Sequence, residues 1–248
     1  MRQDADVQSR PHWRAILLFY FLACAFAWPF FWWRDVHTQS WNSSSIPPEI
    51  RDLTWGPAVA AYLVAYIYPR SRSRTISLLG TSAVRSISCF GIPILLSWIV
   101  VAIEHHHLEN KLVYYLIIGG LSTFGEEKGW RGFLQDQLLP LGTMRGYLLL
   151  AAMWEAWHFT SHFKGSLHDI GVRLSWILPL IVILTFLLGF LTTRTGSLLL
   201  AVTVHEWVDI VADSGDRGLF WSGLACTPIL VWIVWSWPKR LDPSSQTT

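Results

Sequence analysis

Long apolar blocks separated by short charged connections dominate this chain of 248 residues. A run of about 20 apolar residues crosses the hydrocarbon core of a bilayer as a helix, with every backbone polar group bonded inside the segment. Charged residues make up only 15% and hydrophobic residues 52%, against about 25% charged in ordinary soluble domains. Eight stretches read as spans: 15–33, 55–68, 89–103, 112–139, 146–163, 175–191, 197–212 and 219–237. The second and third are short, and the fourth and fifth carry internal charges. The predicted fold class is all-α, a polytopic transmembrane helix bundle. Residues 1–14 form an N-terminal tail, 15–237 one transmembrane domain and 238–248 a polar C-terminal tail, and 42–48 is a plain loop.

Basic residues orient such a bundle, because cytoplasmic connections carry an excess of Lys and Arg. With eight spans, the side shared by both termini holds 11 basic residues and the other side 6. Both termini are therefore expected in the cytoplasm. Arg70, Arg72 and Arg74 read as part of this signal rather than as a lipid-headgroup site. The 16 tryptophans suit interfacial belts, as in Trp28, Trp32 and Trp33, or Trp232, Trp235 and Trp237. Arg10 and Arg14 ahead of an apolar run resemble a signal peptide, but the run continues to Trp33 and more spans follow, so no cleavage is expected. Cys24, Cys89 and Cys226 lie in or beside apolar segments and predict no disulfide framework. No basic patch of nucleic-acid type stands out.

Ionisable groups at membrane depth are costly and are functional candidates by default. They fall in three places: Glu126-Glu127-Lys128-Gly129-Trp130-Arg131, then Trp154-Glu155-Ala156-Trp157-His158, and His205-Glu206-Trp207-Val208-Asp209. At 1.5 Å per residue, Glu126 lies about 21 Å into its segment, His158 about 18 Å and His205 about 12 Å. In a core of about 30 Å, all three come near the central third. Residues four apart share a helix face, whereas neighbours diverge by about 100°. Glu127 and Arg131 are thus a natural ion pair, Glu126 points elsewhere, and His205 shares a face with Asp209.

These stretches resemble the motifs of the CAAX-protease and bacteriocin-processing family of intramembrane proteases. Gly125 to Leu134 is similar to its first motif, a double Glu followed after three residues by Arg. Trp154 to His158 resembles the second, an aromatic-x-x-x-His, and Thr195-Gly196-Ser197-Leu198 leading to His205 resembles the third, His-x-x-x-Asn. The resemblance implies a family core at about 112–212, in a multi-pass protein of a bacterial cytoplasmic membrane. It further implies hydrolysis of a peptide bond in a membrane-embedded or lipidated substrate, either a CAAX-type prenylated tail or a peptide precursor. Glu126 and His158 would activate a water, and His205 and Asp209 would steady the oxyanion, supported by Glu127, Arg131 and Trp154. Two residues depart from the pattern. Trp154 replaces a commoner Phe, an aromatic swap expected to matter little. Asp209 replaces a commoner Asn, and an ionised carboxylate has no proton to donate. Burial is expected to keep Asp209 protonated so that it donates through O–H. The alternative is that it orients His205 from behind.

A metal is the other open point. Glu126, His158 and His205 would be the ligands if Zn²⁺ were held in a three-ligand site. No His-Glu-x-x-His occurs, and metal-free general-base chemistry is the preferred expectation, with no cofactor required. His162 reads as interfacial, Glu155 and Glu206 as secondary polar contacts, and His105, His106 and His107 as a solvated external loop. Two rival classes remain. A non-proteolytic scaffold or immunity protein could keep every motif, whereas a proton-coupled transporter should show pseudo-symmetric halves, which are not seen. The sequence leaves substrate and oligomeric state open.

Overall fold

The computed structural model describes residues 10–40, 54–71, 75–104, 113, 115–159, 166–214 and 217–237. Among them the chain is helical, with no strand beyond a single bridge between Ser77 and Ser197. The helices are α1 (Trp13–Ser40), α2 (Gly56–Ile67), α3 (Ala83–Glu104), α4 (Gly120–Gly129), α5 (Gln135–Leu138), α6 (Thr143–Trp157), α7 (Leu167–Thr195), α8 (Leu198–Ser214) and α9 (Arg217–Trp235). Two wider π segments, Tyr115–Gly119 and Trp130–Leu134, flank α4. Residues 42–48, Arg72, Arg74, His105 to His107, His162 and the tail 238–248 lie outside the described residues.

Among the described residues, three helices are long and apolar enough to cross a membrane: Trp13–Trp32 within α1, Ala83–Val100 within α3, and the whole of α7. The chain is a membrane protein. Two more helices, α2 and Phe220–Trp235 within α9, are apolar but shorter. The eight expected spans therefore each find a helix, while three combine the length and the apolarity that crossing needs. Pro29, Pro93, Pro179 and Pro228 sit inside α1, α3, α7 and α9. Spanning helices tolerate such breaks because neighbouring groups take up the freed carbonyls. One turn after Pro93, the Ser97 hydroxyl donates back to the Pro93 carbonyl at 2.6 Å.

The chain divides into two compact units, Met1–Arg74 with Leu121–Gly189, and Thr75–Gly120 with Phe190–Thr248. In the first, α1 buries Ala15, Phe19, Ala23, Ala27 and Phe31, one residue per turn, and α2 answers with Ala60, Ala61 and Val64. Small residues at such a seam let two backbones approach, which is how helices associate where the hydrophobic effect is absent. Aromatic rings fill the adjoining core: Phe19 packs on Trp130 and Phe133, and Trp157 on Trp130 and Phe31. The Trp157 indole donates to the Ala23 carbonyl at 3.2 Å, and the Trp28 indole to the Trp157 carbonyl at 2.9 Å.

In the second unit, residues just ahead of α3 run along the turn that precedes α8. Ser77 N–H donates to the Gly196 carbonyl, and Leu198 and Leu199 N–H donate to the Ser77 and Leu78 carbonyls, each at 2.9 Å. Ser197 then caps α8 by accepting the Leu200 amide at 3.2 Å. That cap sets where α8 starts and hence which way His205 faces. Of the tryptophans expected in interfacial belts, Trp28, Trp32, Trp232 and Trp235 are exposed, whereas Trp237 is not. Trp237 is buried, with its N–H bonded to the Thr81 hydroxyl at 2.8 Å. Cys24, Cys89 and Cys226 are free and buried.

Candidate active site

Ser122, Gly125, Glu126 and Gly129 recur at helical spacing and form one face of α4. The two glycines explain what that face meets. A Cβ on Gly129 would lie 2.3 Å from the Pro57 side chain, and one on Gly125 would lie 3.1 Å from the Thr54 carbonyl. The chain entering α2 therefore runs hard against α4, and only glycine leaves it room. This close approach brings the Thr54 hydroxyl to Glu126 Oε1, at 2.8 Å. On the other side, the Trp154 indole N–H of α6 donates to Glu126 Oε2 at 3.2 Å. Glu126 is buried, and two neutral donors hold its two oxygens.

Its neighbour Glu127 turns away, as adjacent helical residues must. Arg131 Nη1 donates to Glu127 Oε1 at 2.7 Å, and both side chains are 0% exposed. Arg131 stands in the π segment after α4, and its guanidinium carbon lies 4.2 Å from the centre of the Trp154 ring. Its Nε and Nη2 have no hydrogen-bond partner among the described residues. The face of Trp154 thus carries a cation while its edge serves a carboxylate. The substitution of Trp for Phe, expected to matter little, adds the N–H that only an indole offers.

His158 was expected inside a helix running to residue 163; instead it terminates α6. Its amide bonds back to the Trp154 and Glu155 carbonyls at 3.3 and 3.0 Å, closing the last turn. Its ring Nδ1 lies 3.0 Å from the Trp154 carbonyl oxygen. A carbonyl can only accept, so this contact puts a proton on Nδ1. Trp154 accordingly holds Glu126 with its side chain and His158 with its backbone. Glu155 beside it is buried.

In the second unit, His205 Nε2 and Asp209 Oδ2 are 3.6 Å apart across one turn of α8. The distance is too long for a hydrogen bond but short enough for a Coulombic contact. The expected burial of Asp209 is not found: its side chain is 49% exposed, against 6% for His205. Glu206 points away from this pair and is buried against Gly119, where it lines a small apolar cleft with Phe90, Pro93, Val202 and Trp207.

Within each unit, among the described residues, no three His, Cys, Asp or Glu side chains gather as a metal set. Sequence reasoning missed Thr54 and Ser122. Ser122 stands one turn before Glu126 and could have been found by its spacing; nothing in the sequence links Thr54 to that glutamate.

One comparison with known proteins gives a result. Residues 108–211 match the family model described as type II CAAX prenyl endopeptidase Rce1-like. No curated protein and no solved structure matches the chain. The matched stretch begins four residues before the core expected from the motifs and ends one residue short of it. The motifs and the family model agree on this stretch: residues 108–211 are similar to the Rce1-like family, described as type II CAAX prenyl endopeptidase.

Proposed function

We propose that this protein is an intramembrane endopeptidase in which Glu126 and His158 activate a water to hydrolyse one peptide bond of a membrane-associated substrate. The substrate class is a CAAX-type prenylated tail or a peptide or bacteriocin precursor. The observation that carries this reading is the different fate of two adjacent glutamates. Glu127 is committed to Arg131, whereas Glu126 meets the hydroxyl of Thr54 and the indole of Trp154. Neither donor is charged, in contrast to the guanidinium that holds Glu127. His158, whose Nδ1 faces the Trp154 carbonyl, is the second member of the pair.

In the reaction, the water gives a proton to this Glu/His pair as its oxygen attacks the scissile carbonyl. The same proton then passes to the leaving amine as the C–N bond breaks. His205 donates to the oxyanion in this reading, a role that rests on the motif resemblance, and Asp209 orients it across the 3.6 Å contact.

The test compares wild type and Glu126→Gln, purified in lipid nanodiscs, on an internally quenched farnesylated CAAX peptide and on total membrane peptides. The reading expects the wild type to release products that the variant does not, because the base is lost while its volume is kept. Identical peptide pools from both would sink the enzyme and leave a scaffold that keeps the protease fold.

A further inference from the structure

The hydroxyl that reaches Glu126 belongs to a residue outside the matched domain. Thr54 precedes α2, more than fifty residues before position 108. Its contacts around Glu126 form a chain with a single consistent set of protons. The Thr54 amide donates to Ser122 Oγ at 3.0 Å. The two hydroxyl oxygens are 2.5 Å apart, and the Thr54 hydroxyl lies 2.8 Å from Glu126 Oε1 and 3.4 Å from the Ser122 carbonyl. Thr54 has one hydroxyl proton, and the shorter contact to the carboxylate takes it. Ser122 therefore donates to Thr54, and Thr54 donates to Glu126.

We propose that Thr54 is a positioning residue for the reaction, fixing Glu126 through Oε1 while Trp154 fixes it through Oε2. The terminal torsion of a glutamate is broad, so one anchor leaves the carboxylate plane free to turn. Anchors on both oxygens, from two different elements, leave it a single orientation. A carboxylate plane held in this way has a set direction, which a general base needs to meet its water. The glycine face of α4 makes this geometry possible, because Gly125 and Gly129 admit the Thr54–Pro57 backbone to contact distance. This inference rests on Glu126 acting as the base, and the test separates the two.

Thr54→Val, Thr54→Ser and Trp154→Phe are compared with wild type in the full chain, in nanodiscs, on the farnesylated CAAX peptide. Thr54→Val keeps the shape and removes the donor; Trp154→Phe keeps a ring face for Arg131 and removes the N–H. Each is expected to lower kcat about tenfold with KM within about twofold, the pattern of a lost transition-state contribution rather than lost binding. Thr54→Ser restores most of that loss. A second readout does not depend on turnover: isotope-edited infrared spectra with labelled glutamate, in which the Glu126 carboxylate band is the one missing from Glu126→Gln. Thr54→Val and Trp154→Phe should move that band, and Thr54→Ser should leave it in place. An unmoved band in Thr54→Val overturns the positioning role whatever the activity. So does a valine variant with wild-type kcat. A moved band in a protein whose wild type cuts neither this peptide nor any membrane peptide overturns the hydrolase reading and keeps the two-sided hold on Glu126.

Discussion

Trp154 places its indole N–H 3.2 Å from Glu126 Oε2 and hands its carbonyl oxygen to His158 Nδ1 at 3.0 Å. One residue of α6 thereby sets the orientation of a carboxylate on α4 and puts a proton on Nδ1 of the histidine that ends its own last turn. Arg131, over the face of the same ring, ties in the Glu127 pair. The three charged groups of the first motif are consequently not interchangeable, and substitutions should separate them.

Glu127→Gln is expected to destabilise rather than to inactivate directly. It would leave a fully buried guanidinium, two of whose nitrogens already lack a hydrogen-bond partner among the described residues, without its counter-charge. Removing one partner of such a pair costs roughly 3–5 kcal/mol. Thermal unfolding in nanodiscs would register the loss, set against Glu126→Gln as a control of equal size change. If the Glu127 variant proved as stable as wild type yet inactive while Glu126→Gln kept its activity, the two roles would be exchanged.

At Asp209 the half-open side chain changes the expectation. A carboxylate 3.6 Å from His205 can orient it in a way that an amide of the same size does not, so the substitution should matter. Asp209→Asn is expected to lose about tenfold in kcat, close to the loss in Asp209→Ala, the range of a charged contact of 1–2 kcal/mol. Activity is measured with and without a chelator. Full activity in the Asn variant would instead mean that a donor is needed there, and chelator sensitivity of the wild type would assign His205 and Asp209 to a metal.

Topology is checked independently of chemistry. The 11-to-6 bias of basic residues predicts both termini in the cytoplasm. A reporter fused after Thr248 should be active only in its cytoplasmic form, and one placed among His105, His106 and His107 only in its external form. A C-terminus found outside would break the eight-span count and the depth estimates built on it.

Helical periodicity made the local pairs legible. Glu127 with Arg131 and His205 with Asp209 follow from four-residue spacing alone, because one turn of helix brings such side chains together wherever the helix sits. Apolar block length likewise determined that the chain is helical and membrane-bound, since few other structures satisfy their backbone in lipid. What spacing cannot carry is the approach of one element to another. Thr54 reaches Glu126 across 72 positions only because two glycines let α2 close on α4. The Trp154 N–H finds a carboxylate only because α6 packs beside it, and the end of α6 at His158 depends on which carbonyls its amide and ring find. Exposure is the same kind of quantity: Asp209 and Trp237 read alike as residues of apolar helices, yet the tertiary packing leaves one open and closes over the other. The sequence by itself determined the pairs within each helix. Contacts between helices were decided by the tertiary structure, because they depend on the shapes of two surfaces at once.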